Sequence, residues 1–168
     1  MRKMTVIISI FILLAFAAGS RTGSVQTARI SNPNVELYFV DSQMLRLMKT
    51  EYNVGRVSRQ KAAEKVLEEL IKGRDENEKI LRLIPNVKNC MTVKVEHNIA
   101  YVDLKKSFVE QYTSDERQHE ILLVYSIVNS LTSVEGISNV RFTIEGKEES
   151  KLKGFIDMRE TFIPDYLI

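Results

Sequence analysis

The chain has 168 residues, 44% hydrophobic and 27% charged, which is ordinary globular usage and enough for one domain with a sizeable core. Its single cysteine, Cys90, excludes an intrachain disulfide and any all-cysteine metal site, so this sequence must be stabilised by packing. The formal charge of +2 is unevenly placed: Arg2, Lys3 and Arg21 precede Ser24 with no acidic residue among them, which leaves 21 of the 24 basic side chains against 22 acidic ones and gives no ground for nucleic-acid binding.

In chain order, residues 1–20 have the layout of an export signal or N-terminal anchor. Arg2 and Lys3 are basic, residues 4–14 are apolar, and Ala15, Ala17, Ala18, Gly19 and Ser20 are small. The apolar run is shorter than the ~20 residues that span a bilayer comfortably, so a cleaved signal is the preferred reading, and the membrane enters only through this segment. No cysteine stands there to carry a lipid. Residues 21–34, rich in Ser, Thr, Asn and Gly, read as a flexible linker, and 35–168 as the domain.

Residues 35–41 alternate as a strand, with Val35, Leu37 and Phe39 on one face. Residues 45–57 read as a loop with room for a short edge strand. A helix is predicted over 59–72, with Ser58 as N-cap, Gly73 past its end, and Ala63, Val66, Leu67, Leu70 and Ile71 as its apolar stripe. Its carboxylates, Glu64, Glu68 and Glu69, lie outside that stripe and read as a solvated face. Residues 75–79 are a polar loop, after which Leu83, Ile84 and Pro85 return the chain to the core.

Residues 91–109 organise the rest: Met91, Val93 and Val95 alternate with Thr92, Lys94 and Glu96, and Ala100, Val102 and Leu104 alternate with Tyr101 and Asp103. This is a hairpin with one dry and one wet face, turning at 96–98, where Asn98 is expected to take the left-handed conformation. His97 is read as an exposed turn residue and His119 as a surface partner of Asp115. A second helix is predicted from the capping pattern at 113–116 to about 133, with Ile121, Val124, Tyr125, Val128 and Leu131 as its stripe. Residues 139–145 form a further strand, and 155–162 hold an alternation that suits an added edge strand.

The order β-α-β-β-α-β predicts an α+β domain, a two-layer sandwich with two helices on one face of a small mixed or antiparallel sheet. No Gly-rich phosphate loop, Gly-X-Ser-X-Gly motif or HExxH motif is present, and the two histidines lack a second ligand at coordinating spacing. No catalytic, cofactor-binding or metal-binding residue is assigned. The outward residues Thr92, Lys94, Tyr101, Asp103, Arg141 and Thr143 form the candidate interaction surface, of mixed sign and suited to a protein partner. A ligand pocket between helices and sheet is a further possibility.

The segments LYFVDSQ at 37–43, KAAEKVLEELIKG at 61–73, LIPNVK at 83–88, VKVEHNIAYVDLKKSFV at 93–109, VYSIVNSLTSVEGISNVRFTIEGKE at 124–148 and GFIDMRETF at 154–162 together resemble the GerMN domain of sporulation and spore germination proteins. That resemblance implies a non-catalytic, envelope-located domain similar in shape to the ring-building domains of secretion and sporulation channels. It implies protein partners in the envelope, self-assembly among the routes, and no site residue that can be carried over. The expectation is therefore an exported or membrane-associated interaction module of sporulation or germination. A peptidoglycan-directed hydrolase or accessory acting in germination is the competing expectation.

Overall fold

The computed structural model describes residues 29–43, 45–73, 79–149 and 151–168. The expected signal at 1–20 and most of the loop at 75–79 lie outside these residues. Strand β1, Asn34–Asp41, pairs antiparallel along its whole length with β2, Arg46–Asn53, and at its end with the two-residue β3, Ile80–Leu81. Where a loop with a short edge strand was expected, β2 is as long as β1. Its weak alternation has a physical cause: the strand is half-exposed on both faces, so no face needed to be uniformly apolar.

Helix α1 follows at Arg59–Lys72 with the predicted limits. The Ser58 hydroxyl accepts from Lys61 N–H, and the predicted stripe Ala63, Val66, Leu67, Leu70 and Ile71 is buried. Gly73 ends the helix at φ 68°, and the Arg82 guanidinium donates to the carbonyls of Ile71 and Lys72, two of the acceptors that a helix end leaves open. The guanidinium lies 2.7 Å from where a Cβ on Gly73 would stand, so a side chain there would displace this cap.

The hairpin forms as predicted from β4, Met91–Glu96, and β5, Ile99–Leu104. At its turn the left-handed residue is His97, at φ 55°, rather than Asn98. Asn98 is engaged elsewhere: its carbonyl accepts from Ser138 and Asn139 N–H and its amide donates to the Ser138 hydroxyl, which joins the turn to the start of β6, Asn139–Ile144. The α+β class holds, but the strands divide between two three-stranded sheets, β2-β1-β3 and β4-β5-β6, instead of forming one. The second is mixed, because β6 joins β5 in parallel after a helical crossover.

That crossover differs most from expectation. Residues Lys106–Gln111 form a short helix, α2, the chain then runs extended, and α3 spans Arg117–Thr132. The capping pattern at 113–116 does not cap α3: Glu116 precedes the helix without a side-chain cap, and the Ser114 hydroxyl accepts from Glu116 N–H and meets His119 Nδ1 at 2.7 Å. His119 accordingly pairs with Glu116, not Asp115, at 3.5 Å. Phe108 and Tyr112, both buried, fix the chain on either side of the α2 end and delay the start of α3.

Helix α3 is buried around most of its circumference, since it serves both sheets. It lies along the edge of β1 that β3 is too short to cover. The Ser130 hydroxyl accepts from Tyr38 N–H at 2.8 Å, and the Ser133 hydroxyl both accepts from Glu36 N–H and donates to Glu36 carbonyl at 3.0 Å. Gln60 of α1 treats the β4 edge in the same way, donating to Val93 carbonyl and accepting from Val95 N–H. Two helices thus occupy edges that would otherwise carry unpaired backbone groups.

At the ends of the domain, Ile30 is buried and pairs with Val57, and Ser31 and Asn32 N–H donate to the Glu135 carboxylate. Residues 29–32, inside the expected linker 21–34, are thus fastened to the domain. The tail 155–162 does not become a strand; it makes one bridge, Phe162 to Val140, with Phe162 packed edge-on against Phe142 and Tyr125. Asn129, fully buried, holds the following turn through both backbone groups of Asp165.

Candidate interaction surface

Register brings the six candidate residues together. On the face of the second sheet opposite Ala100 and Val102, β4, β5 and β6 set Thr92, Asp103 and Thr143 side by side in one row and Lys94, Tyr101 and Arg141 in the next. Directly opposed residues share a face, so the alternation read in each strand becomes a contiguous patch once the order β4-β5-β6 is known.

The two rows differ in freedom. The Asp103 carboxylate, whose side chain is only 18% exposed, accepts from Lys105 Nζ at 2.5 Å, from the Thr143 hydroxyl at 2.7 Å and from Gly146 N–H at 2.7 Å. Burial draws the Asp103 carboxyl upward, but these three donors together hold it below its ordinary range. Asp103 and Thr143 are thus occupied in fastening the turn after β6. Lys94, with its side chain 74% exposed, and Arg141 flank Tyr101 and keep carboxylate partners of their own, Glu96 and Glu148. This second row presents one phenol between two cations, each neutralised from the side.

A depressed folded-state pKa stabilises the fold above the unfolded carboxyl value near 3.8, and that contribution disappears as pH falls through the folded value. Asp103→Asn should cost about 1–2 kcal/mol at neutral pH through weakened charge-assisted hydrogen bonds. Its stability should then decline less steeply than that of the parent below pH 3.8, as urea unfolding across pH would measure.

The other residues singled out by sequence lie apart from the patch. His97 is exposed at the turn and offers its carbonyl to Arg59. Cys90 is fully buried, and burial pushes its thiol pKa up, which suits a small apolar filler. Glu64 bonds Gln60 and Lys61 on the surface of α1, and Glu69 pairs with Lys72. Between α1 and the start of β4 runs an open groove of about 500 Å³, with Leu67, Ile71, Met91 and Val93 at its floor and Glu68 and Lys88 at its sides. One polar group had no signal in the sequence: Glu120, inside α3, is fully buried and its carboxylate accepts from the N–H groups of Phe155 and Ile156 at 3.3 Å. No described helix is long and apolar enough to cross a membrane.

Two long helices, α1 and α3, laid against two three-stranded sheets, the second of them mixed, define an α+β domain. The fold is similar to the first GerMN domain of the sporulation protein GerM from Bacillus subtilis, at TM-score 0.57 and 17% identity over 82% of this chain and 100% of that one. It is also similar to the tandem GerMN domains of the same protein, at TM-score 0.56 and 19% identity, over 77% of this chain and 44% of that one. A candidate lipoprotein from Clostridium perfringens matches at TM-score 0.53 and 16% identity, over 77% of this chain and 86% of its own. At these identities the likeness is one of fold. A comparison with curated proteins returns no match. The family model Germane, described as sporulation and spore germination, matches residues 36–150, and the chain belongs to that family.

Proposed function

We propose that this domain is an exported, non-catalytic interaction module of sporulation or germination, which docks an envelope protein through the outer face of the β4-β5-β6 sheet. The observation that carries this reading is the row Lys94, Tyr101 and Arg141, an aromatic side chain between two cations on one outward face. Tyr and Arg supply much of the binding energy where they become desolvated in interfaces. The basic and apolar N-terminus supports export, and the family supports the cellular process. Sign complementarity favours a partner with carboxylates spaced to take Lys94 and Arg141 from Glu96 and Glu148.

The test is crosslinking and capture with the full chain in envelopes of sporulating cells. Combined Lys94→Gln, Tyr101→Ala and Arg141→Gln should reduce recovery of a specific partner by about tenfold or more, with cooperative thermal unfolding retained, because these side chains lie on the outward face and not in the core. Equal recovery by parent and variant would overturn the assignment of this face. Recovery of no protein by the parent would overturn the docking role itself.

A further inference from the structure

Among the described residues, β2 is an edge strand of the first sheet. The N–H groups of Glu36, Tyr38 and Ser42 point away from β2, to Ser133, Ser130 and Lys79, so it is the odd-numbered residues of β1 that bond β2. Through the register Phe39 to Met48 and Leu37 to Thr50, the even-numbered residues of β2 face β1, and Leu47, Lys49, Glu51 and Asn53 turn their backbone groups outward. Leu47 N–H meets the Ile168 carbonyl at 3.3 Å. No described residue bonds the outward backbone groups of Lys49 and Glu51.

Such an edge is a template for another strand, and the residues of β2 select which one. If two copies of β2 pair antiparallel about a two-fold axis at Thr50, Lys49 of each lies opposite Glu51 of the other, and Met48 lies opposite Tyr52. Outward-facing residues then oppose outward-facing residues, as the ladder requires. The neighbouring symmetric registers place the axis on Lys49 or on Glu51 and set like charges face to face, which is unfavourable. Lys49 Nζ already stands 2.6 Å from Glu36 Oε1 on the same face, so the second copy's Glu51 adds a carboxylate to a cation that is 62% exposed. We infer that the chain forms a homodimer through β2, joining the two β2-β1-β3 sheets into one of six strands. This surface is separate from the docking face proposed above and stands without it.

The test uses the full chain carrying Thr50→Cys. On the axis Thr50 opposes its own copy as a non-hydrogen-bonded pair, with Cα atoms about 4.5 Å apart, inside disulfide reach. Buried Cys90 does not compete, and Glu148→Cys, at a side chain 62% exposed, reports random collision. Mild oxidation should give a covalent dimer from Thr50→Cys and little from Glu148→Cys. Adding Lys49→Glu or Glu51→Lys to Thr50→Cys should lower the dimer yield about tenfold, since each change turns two opposite-charge pairs into like-charge pairs. Mixing the two charge variants should restore a heterodimer, which also shows that both are folded. The inference is overturned if Thr50→Cys crosslinks no better than Glu148→Cys, if the charge variants crosslink as well as their parent, or if mixing restores nothing.

Discussion

Phe108→Ala should destabilise the domain by about 3–5 kcal/mol, a large share of the 5–15 kcal/mol typical of whole domains. Phe108 is fully buried although it sits on a helix of only six residues, and its ring stacks with Tyr112 at 6.4 Å. The helix holds itself weakly, being too short to be stable in isolation. Its first N–H is taken by the Glu145 carboxylate from the turn after β6, and the Tyr112 hydroxyl is buried without a hydrogen-bond partner among the described residues. Burial pushes the Tyr112 pKa up to about 12, and the Glu120, Asp115 and Glu116 carboxylates add to the rise. Apolar packing is therefore the main anchor for this part of the crossover. Urea unfolding of parent and variant gives the measurement, and a loss under about 1 kcal/mol would mean that the site collapses around alanine.

Ser130→Ala should cost about 1–3 kcal/mol, while Ser126→Ala on the same buried helix should cost under about 0.5 kcal/mol. Both hydroxyls are shielded from water, and both donate to a carbonyl of their own helix, Ser126 to Leu123 and Ser130 to Ser126. Only Ser130 also accepts, from the Tyr38 N–H. Removing Ser126 leaves a carbonyl that has its helical partner. Removing Ser130 leaves a buried N–H on β1 with nothing to receive it, and a donor without a partner loses its full hydration. Thermal unfolding distinguishes the two, and equal effects would show that Ser130 acts by volume and not by closing the β1 edge.

Those two serines mark the limit of what the residue pattern could say. A serine between Val128 and Leu131 reads as a tolerated small residue, and nothing nearby in sequence shows that Tyr38, 92 positions away, needs an acceptor. The hairpin, by contrast, was legible because strand alternation and burial have the same period of two. Helix α1 was legible to its ends because Ser58 and Gly73 act locally, on backbone groups within a turn of themselves. The capping pattern at 113–116 misled for the opposite reason: its residues are suitable, but Phe108 and Tyr112 are anchored in the core and hold the chain extended there. Strand β2 was underread because its weak alternation carried little periodic signal, and its register with β1 defines both of its faces.

For the candidate surface, alternation alone placed Thr92, Lys94, Tyr101, Asp103, Arg141 and Thr143 on outward faces, since a side chain's face follows from its position in the strand. Their adjacency depended on strand order, and strand order on the parallel crossover from β5 to β6 through α2 and α3. Tertiary structure also separated the members, binding Asp103 to Lys105, Thr143 and Gly146 while leaving Tyr101 between Lys94 and Arg141. In the hairpin and α1, local periodicity determined which residues are dry and which are wet. The division into two sheets, and the use of α3 and Gln60 to close their edges, came from the need to pair every buried backbone group, a condition that only residues distant in sequence could meet.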